Sequence, residues 1–227
     1  MKVGLFSTCI NSVYFTRTVS ATREVLERLG IEIMETKQVC CGQMHINSGY
    51  PELAQPLVDK VEKYFTKCDY IVAPSASCIG SLREHENRTE LASKCFDLSE
   101  FLVDILKVTD VGAKFNHRVT MHTTCHSLRV AKLGDRPLRL LSEVAGIQII
   151  DLPDADSCCG FGGTFSVKNS DVSGAMLQDK LANIARTRAE YVVSSDNSCL
   201  MHVGGGLQRA GDKVKVIHLA EILANRG

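Results

Sequence analysis

The sequence predicts an α/β protein of two tandem pseudo-symmetric repeats. Each repeat is a small parallel sheet flanked by helices, with cysteine loops at the carboxyl ends of the strands. Three observations predict this. Short β-rich runs alternate with segments of helical period along the 227 residues. Blocks of the first half recur in the second at nearly constant spacing. The tripeptide Cys-Cys-Gly occurs twice, at Cys40-Cys41-Gly42 and Cys158-Cys159-Gly160, each time between two outlying cysteines.

The elements follow in order. The apolar run Lys2–Ser7 reads as a first buried strand. The helix after it runs to about Leu29, with Phe15, Val19, Thr22, Val25, Leu26 and Leu29 at three- and four-residue steps. Gly30 stands where a left-handed residue ends a helix. Strand Ile31–Thr36 leads to Cys40-Cys41. A helix around Glu52–Thr66 carries Leu53, Leu57, Val61 and Tyr64 on its expected apolar face. Strand Tyr70–Ala73 leads to Cys78 and a short helix, and strand Cys95–Leu98 to a helix Ser99–Leu106. Strands Val119–His122, Ile147–Asp151, Tyr191–Ser194 and Val214–His218 repeat the order.

The repetition is visible residue by residue. Val3 to Cys9 matches Val119 to Cys125 at an offset of 116, and Gly30-Ile31-Glu32-Ile33 matches Gly146-Ile147-Gln148-Ile149 at the same offset. Tyr70 to Cys78 matches Tyr191 to Cys199 at 121, as does Phe96 to Leu102 against Ile217 to Leu223. Two repeats are therefore expected, 1–112 and 113–227, joined near Lys107 to His117.

Composition narrows the function. Lys+Arg and Asp+Glu number 26 each, so the chain lacks the basic excess of a general nucleic-acid binder. With 44% hydrophobic residues it can bury a large core, yet no apolar run is long enough to span a bilayer. The start lacks the apolar region of a signal peptide, so a cytoplasmic location is expected. In a reducing compartment ten cysteines read as ligands or buried thiols before disulfides.

Four thiols per half is the number that a tetrahedral ion or an iron–sulfur cluster requires. The expected metal ligands are Cys9, Cys40, Cys41 and Cys78 in the first half and Cys125, Cys158, Cys159 and Cys199 in the second. Structural zinc sites usually draw on Cys-x-x-Cys knuckles, which these quartets lack; widely spaced ligands suit a larger body of the 4Fe–4S type, with zinc the alternative. Gly42, Gly160, Gly162 and Gly163 allow close backbone approach and N–H donation to sulfur, which makes them candidate cofactor-binding positions. His45 and His202 are candidate proton donors or acceptors; His122 and His126 flank Cys125, and hydrogen bonding is the plainer role of each. Arg17 and Arg129 follow the first cysteine of each half, where a carboxylate-binding role competes with ordinary solvated arginines. Cys68 and Cys95 have no counterpart in the other half and read as buried thiols. The run Gly160-Phe161-Gly162-Gly163-Thr164-Phe165 fails as a dinucleotide fingerprint at Phe165, and Gly204-Gly205-Gly206 does not complete one.

The phrases Cys40-Cys41-Gly42-Gln43-Met44-His45, Pro74-Ser75-Ala76-Ser77-Cys78, Cys158 to Phe165 and Ser198-Cys199-Leu200-Met201-His202 carry a resemblance. The chain resembles the cysteine-rich CCG domain family, found in heterodisulfide reductases and in components of glycolate and glycerol-3-phosphate dehydrogenases. Within it, the chain is most similar to the lactate utilization protein A branch. That resemblance implies an iron–sulfur oxidoreductase subunit acting in oxidation of L-lactate, a small 2-hydroxy acid, to pyruvate. It implies two partner proteins of lactate utilization, one of them itself an iron–sulfur protein. The wider family pattern has Cys-x-x-Cys late in each half, where this chain has Ser75 and Asp196. A five-thiolate arrangement is thereby put in doubt, and Asp196 becomes an outside candidate ligand. Two other readings stay open: a thiol/disulfide reductase of the heterodisulfide kind, and a zinc-stabilised assembly module without redox activity.

Overall fold

The computed structural model describes residues 1–85 and 89–227. The first half contains strand β1 (Val3–Leu5), helices α1 (Cys9–Val13) and α2 (Thr16–Arg28), strand β2 (Ile33–Met34), and helices α3 (Gln43–Asn47) and α4 (Pro51–Tyr64). Strand β3 (Tyr70–Ala73), helices α5 (Ala76–Arg83) and α6 (Thr89–Lys94), strand β4 (Cys95–Asp97) and helix α7 (Leu98–Glu100) complete it, with a π-helical turn over Phe101–Ile105. The second half has strand β5 (Arg118–Met121), helices α8 (Cys125–Arg129) and α9 (Arg136–Ser142), strand β6 (Gln148–Ile150), and helices α10 (Phe165–Lys168) and α11 (Ser170–Thr187). Strand β7 (Tyr191–Ser194), helix α12 (Asn197–Arg209), strand β8 (Lys215–His218) and helix α13 (Leu219–Ala224) follow.

Among the described residues the strands form two four-stranded sheets, ordered β2-β1-β3-β4 and β6-β5-β7-β8, with every ladder parallel. The register repeats as well as the order: Val3 faces Tyr70, and Val119 faces Tyr191. Both sheets are doubly wound. Their direction of winding reverses beside the first strand of each half, so loops leaving the first, second and third strands open into one crevice. The α/β class and the tandem repeat predicted from sequence are what the structure shows.

Some details differ. The second strand shrinks to Ile33–Met34 because it lies at the sheet edge, with one neighbour only. Helix α4 buries Val61 as expected, but Ala54 and Val58 replace their neighbours Leu53 and Leu57 in the core, and Leu53 is exposed. The small Ala54 faces Gly42 of the cysteine loop, where a Leu could not fit. The helix expected over Ser99–Leu106 starts as α7 behind an Asp97–Glu100 capping box and then loosens into the π turn. Helix α2 ends as predicted: Gly30 adopts φ +77°, and Ile31 N–H donates to Leu26 O at 3.1 Å.

Three large cores, with a small cluster of Ala76, Ala131 and Leu133 that also crosses the seam, hold the described residues together. One joins the halves, packing Val25, Leu26, Phe101 and Leu102 with Leu140, Leu141, Leu219 and Leu223. Arg28 reinforces this seam, donating from α2 to Leu223 O and Ala224 O at the end of α13. The other two cores are private to each half. Phe6, Val58, Val61, Phe65 and Ile79 surround Cys41 and Cys78; Leu177, Ile184, Leu200 and Val203 surround Cys159 and Cys199. Each half thus has an apolar wall behind its buried cysteines.

Candidate metal centre

The cysteines are placed by strand ends. β1, β2 and β3 run in parallel as neighbours, so Cys9, Cys40-Cys41 and Cys78, which follow them, emerge at one sheet edge. In the first half Cys9 Sγ lies 3.7 Å from Cys40 Sγ, and Cys41 Sγ lies 3.3 Å from Cys78 Sγ. Gly42 N–H donates to Cys40 Sγ at 3.4 Å, and Gly160 N–H donates to Cys158 Sγ at the same distance. The second half repeats the chain of contacts from Cys125 through Cys158 and Cys159 to Cys199. Sequence positions 31 to 40 residues apart therefore meet as two sulfur quartets.

Protonation is uneven within each quartet. Contacts with Cys41 and Cys9 hold the Cys40 thiol well below the usual range; Cys125 and Cys159 do the same for Cys158. Cys9, Cys41, Cys125 and Cys159 shift upward, chiefly through their hydrogen-bonded sulfur neighbours, with burial adding to it. The first cysteine of each Cys-Cys pair is thus the position whose thiolate form its neighbours favour.

All eight cysteines line a single cavity of about 370 Å³ between the two halves, together with Asn11, Gln43, Ser77, Thr124, His126 and Phe161. Gly162 and Gly163 also line it, with φ of +51° and +64°. Gly42 and Gly160 sit deeper, with φ of +85° and +90°. A Cβ on Gly160 would stand 2.7 Å from Ser173 O, and one on Gly42 would stand 2.7 Å from Ala54 Cβ. The turn of each Cys-Cys-Gly loop therefore requires glycine both for its dihedrals and for the helix pressed against it.

Polar bridges close the cavity between the halves. Gln43 Nε2 and a ring nitrogen of His126 are 2.8 Å apart, and Ser48 and Thr164 hydroxyls 2.7 Å apart. Asn197 donates to Asn11 Oδ1 and Thr18 Oγ1, and Thr18 donates to Glu221. Asp196 is buried and accepts from Ser75 Oγ at 2.9 Å, Ser77 Oγ at 2.6 Å and Ser77 N at 2.9 Å. Burial raises its pKa, while the bonds from Ser77 and Ser75 oppose that shift. The outside candidate for a ligand is thus committed to tying its half to the start of α5. Ser75 and Asp196, at corresponding positions of the two repeats, are bonded to each other.

The histidines separate by place. His126 lines the cavity; His45 and His202 do not. His202 packs on the Phe161 ring with centroids 5.9 Å apart, and Ser173 Oγ lies 3.4 Å from its Nε2. Burial lowers its pKa. His122 is 1% exposed; neither ring nitrogen makes a hydrogen bond of full geometry among the described residues, and only a looser contact with the Ala155 backbone acts on the ring. A ring nitrogen of His122 and the sulfurs of Cys159 and Cys199 all lie within 4.8 Å of one another. Sequence reasoning placed His122 beside Cys125, but its nearer neighbours come from the second and third loops. Burial lowers its pKa to about 4. Cys68 and Cys95 are buried away from the cavity, as expected of structural thiols, and burial pushes Cys95 up to about 12. Arg17 pairs with Glu24 at the surface and takes no part in the centre.

The donor set fits a thiophilic metal group. Four thiols converge in each half, one of them already favoured as thiolate. Bonds of about 2.3 Å around one tetrahedral ion put sulfurs about 3.8 Å apart, close to the Cys9–Cys40 separation. A cluster needs more room, and the adjoining cavity offers it.

Comparison with known proteins agrees with this geometry. The cysteine-rich domain family, CCG, matches residues 3–83 and 119–204. The "Lactate utilization protein A" of Oceanobacillus iheyensis is 43% identical over 98% of this chain and 96% of that protein. That of Geobacillus kaustophilus is 42% identical over the full length of both. Among solved structures, the glutamate racemase isoform RacE1 of Bacillus anthracis aligns at TM-score 0.38 and 11% identity, over 98% of this chain and 78% of that one. That likeness is too loose to bear on the chemistry.

Proposed function

This chain belongs to the cysteine-rich CCG domain family, in its lactate utilization protein A branch, and we propose that it is an iron–sulfur redox subunit in L-lactate oxidation. The observation that carries the proposal is the pair of thiol quartets opening onto one cavity. Two partner proteins, one of them an iron–sulfur protein, complete the system in this reading.

Each quartet would hold one cluster through its four thiolates, with Gly42 and Gly160 N–H groups donating to ligand sulfur. A bound cluster supplies one-electron transfer, and oxidation of a 2-hydroxy acid releases two electrons, so two sites match the demand. The chain's own residues do the rest. The apolar cores behind Cys41, Cys78, Cys159 and Cys199 keep water from the buried ligands. Bonds across the halves, Gln43 to His126 and Asp196 to Ser75 and Ser77, hold the quartets at a fixed separation. If substrate is oxidised on this chain, the proton acceptor expected at His45 or His202 is better sought at His126, which alone of the three lines the cavity. No helix among the described residues is long and apolar enough to cross a membrane.

Anaerobic purification with iron, sulfide and zinc counts, plus absorption and EPR spectra, tests the reading. Iron and sulfide are expected, with Cys41→Ser or Cys159→Ser each removing about half. Cys68→Ala and Cys95→Ala should leave both counts unchanged. The second reading is a zinc-stabilised module, favoured by the 3.7 Å Cys9–Cys40 separation. Stoichiometric zinc without sulfide establishes it and overturns the redox role. Dye reduction by lactate, with and without the partners, then separates a catalytic chain from an electron relay.

A further inference from the structure

The two quartets share a ligand pattern but not a setting. Phe6 and His122 occupy the same place: each lies just past the first strand of its half, and each backbone N–H donates across the sheet at 2.8 Å, to Val72 O and Val193 O. Phe6 packs with Cys41 and Cys78 in an apolar core. His122 brings a ring nitrogen within 4.8 Å of Cys159 and Cys199 sulfurs, with no hydrogen bond of full geometry to hold it elsewhere. A second pair differs in the same sense. The buried positions Ala54, Val58, Val61 and Phe65 of the first half match Ser173, Leu177, Lys180 and Ile184 of the second at identical spacing. Lys180 therefore stands where the first half has Val61.

Lys180 is 0% exposed, which is rare for this side chain. Its Nζ donates to Asp154 O at 2.7 Å; burial lowers its pKa, and the pull of Cys159 and Cys158 opposes that shift. The carboxylates of Asp154 and Asp156 also act on it, but both residues are exposed, where water screens them. A buried cation and a hydrogen-bond donor beside a cluster favour its reduced, more negative form. An apolar wall of Phe6 and Val61 does not.

We propose that the two sites differ in reduction potential, the second-half site being the higher because His122 and Lys180 replace Phe6 and Val61. This rests on the iron–sulfur reading above and gives the chain a direction. One electron passes from the first-half site to the second-half site; no bond is made or broken and no proton moves. A one-electron donor is then expected to deliver at the first half, and an acceptor to collect at the second.

The test is an anaerobic potentiometric titration of the full chain followed by EPR. Wild-type protein should give two one-electron waves, and Cys159→Ser should abolish the upper one. His122→Phe and Lys180→Met should each weaken the reduction equilibrium of the upper wave about tenfold, 59 mV for a one-electron couple, and leave the lower wave in place. His122→Gln and Lys180→Arg, which keep the donor and the charge, should restore most of the shift. An unmoved upper wave in both variants, or loss of the lower wave in Cys159→Ser, overturns the assignment. So does a cluster lost from His122→Phe while Lys180→Met leaves the potential unmoved. Iron and sulfide at two clusters per chain with one unsplit potential overturns this inference alone. Protein without iron or sulfide overturns the proposed function and this inference with it.

Discussion

Replacing Asp196 by Ala removes the acceptor at the centre of the seam between the repeats. Three donors would lose their partner: Ser75 Oγ, Ser77 Oγ and Ser77 N. Hydrogen bonds to a charged group are worth about 1.5–3 kcal/mol each, which sets an upper bound well above the real loss. Burial already penalises this carboxylate, as its raised pKa shows, and deleting it returns that cost. A net loss of about 3 kcal/mol remains, the range for breaking a buried charged network. At about 2–4 °C per kcal/mol for a chain of this size, Tm should fall by about 6–12 °C. Asp196→Asn keeps one oxygen for Ser77 and turns an amide toward Ser75, whose hydroxyl can accept, so about 1 kcal/mol or less is expected. Anaerobic thermal unfolding followed by circular dichroism measures both, and a double-mutant cycle with Ser77→Ala isolates the coupling. If Asp196→Ala unfolds within about 1 kcal/mol of wild type, or if Asn is as damaging as Ala, the network does not tie the halves and the reasoning is refuted.

Further tests address the loops and the caps. Gly160→Ala should cost about 1–3 kcal/mol in backbone strain and push the loop off α11, lowering metal content in the second half while Cys9, Cys40, Cys41 and Cys78 keep theirs. Metal counts in Gly160→Ala paired with Cys41→Ser check this: retention of half the wild-type metal in the pair would count against it. His218, buried, accepts from Ala220 N–H to cap α13, and burial lowers its pKa from 6.5 to about 4. The folded state keeps it neutral while the unfolded chain protonates. Its contribution is therefore full above pH 6.5 and is lost as pH falls toward 4, about 3 kcal/mol in all. Denaturant titrations across that window should show a flatter acid limb for His218→Asn, and an unchanged slope would refute the assignment. Asp97 caps the matching helix and behaves oppositely. Burial raises its pKa to about 7, so stability is full below 3.8 and falls as pH rises through 7, a slope that Asp97→Asn should remove.

Much of the molecule was legible in the chain because duplication writes every signal twice. Strands Tyr70–Ala73 and Tyr191–Ser194 were read to the residue, since both lie centrally in their sheets and carry continuous apolar runs. The edge strand at Ile33 was read too long, because pairing on one side only supports fewer residues than its β-branched composition invites. The stripe of α4 was displaced because Ala54 faces a glycine loop, and hydrophobicity alone does not record which neighbour must be small.

The convergence of the thiols into quartets follows from sequence because identity and strand-end position suffice once the sheet is parallel. Neither the shared cavity nor the bonding of Ser75 to Asp196 could be read that way: both depend on how one repeat docks on the other, and no local period encodes that contact. His122 and Lys180 are the sharpest case. As letters they are one histidine near a cysteine and one lysine on a helix; folding strips them of water, sets His122 beside two sulfurs and buries Lys180 in the helix behind them. Composition and spacing determined which thiols this chain brings together, and burial, which only the packed structure imposes, decided that the two quartets do not share one setting.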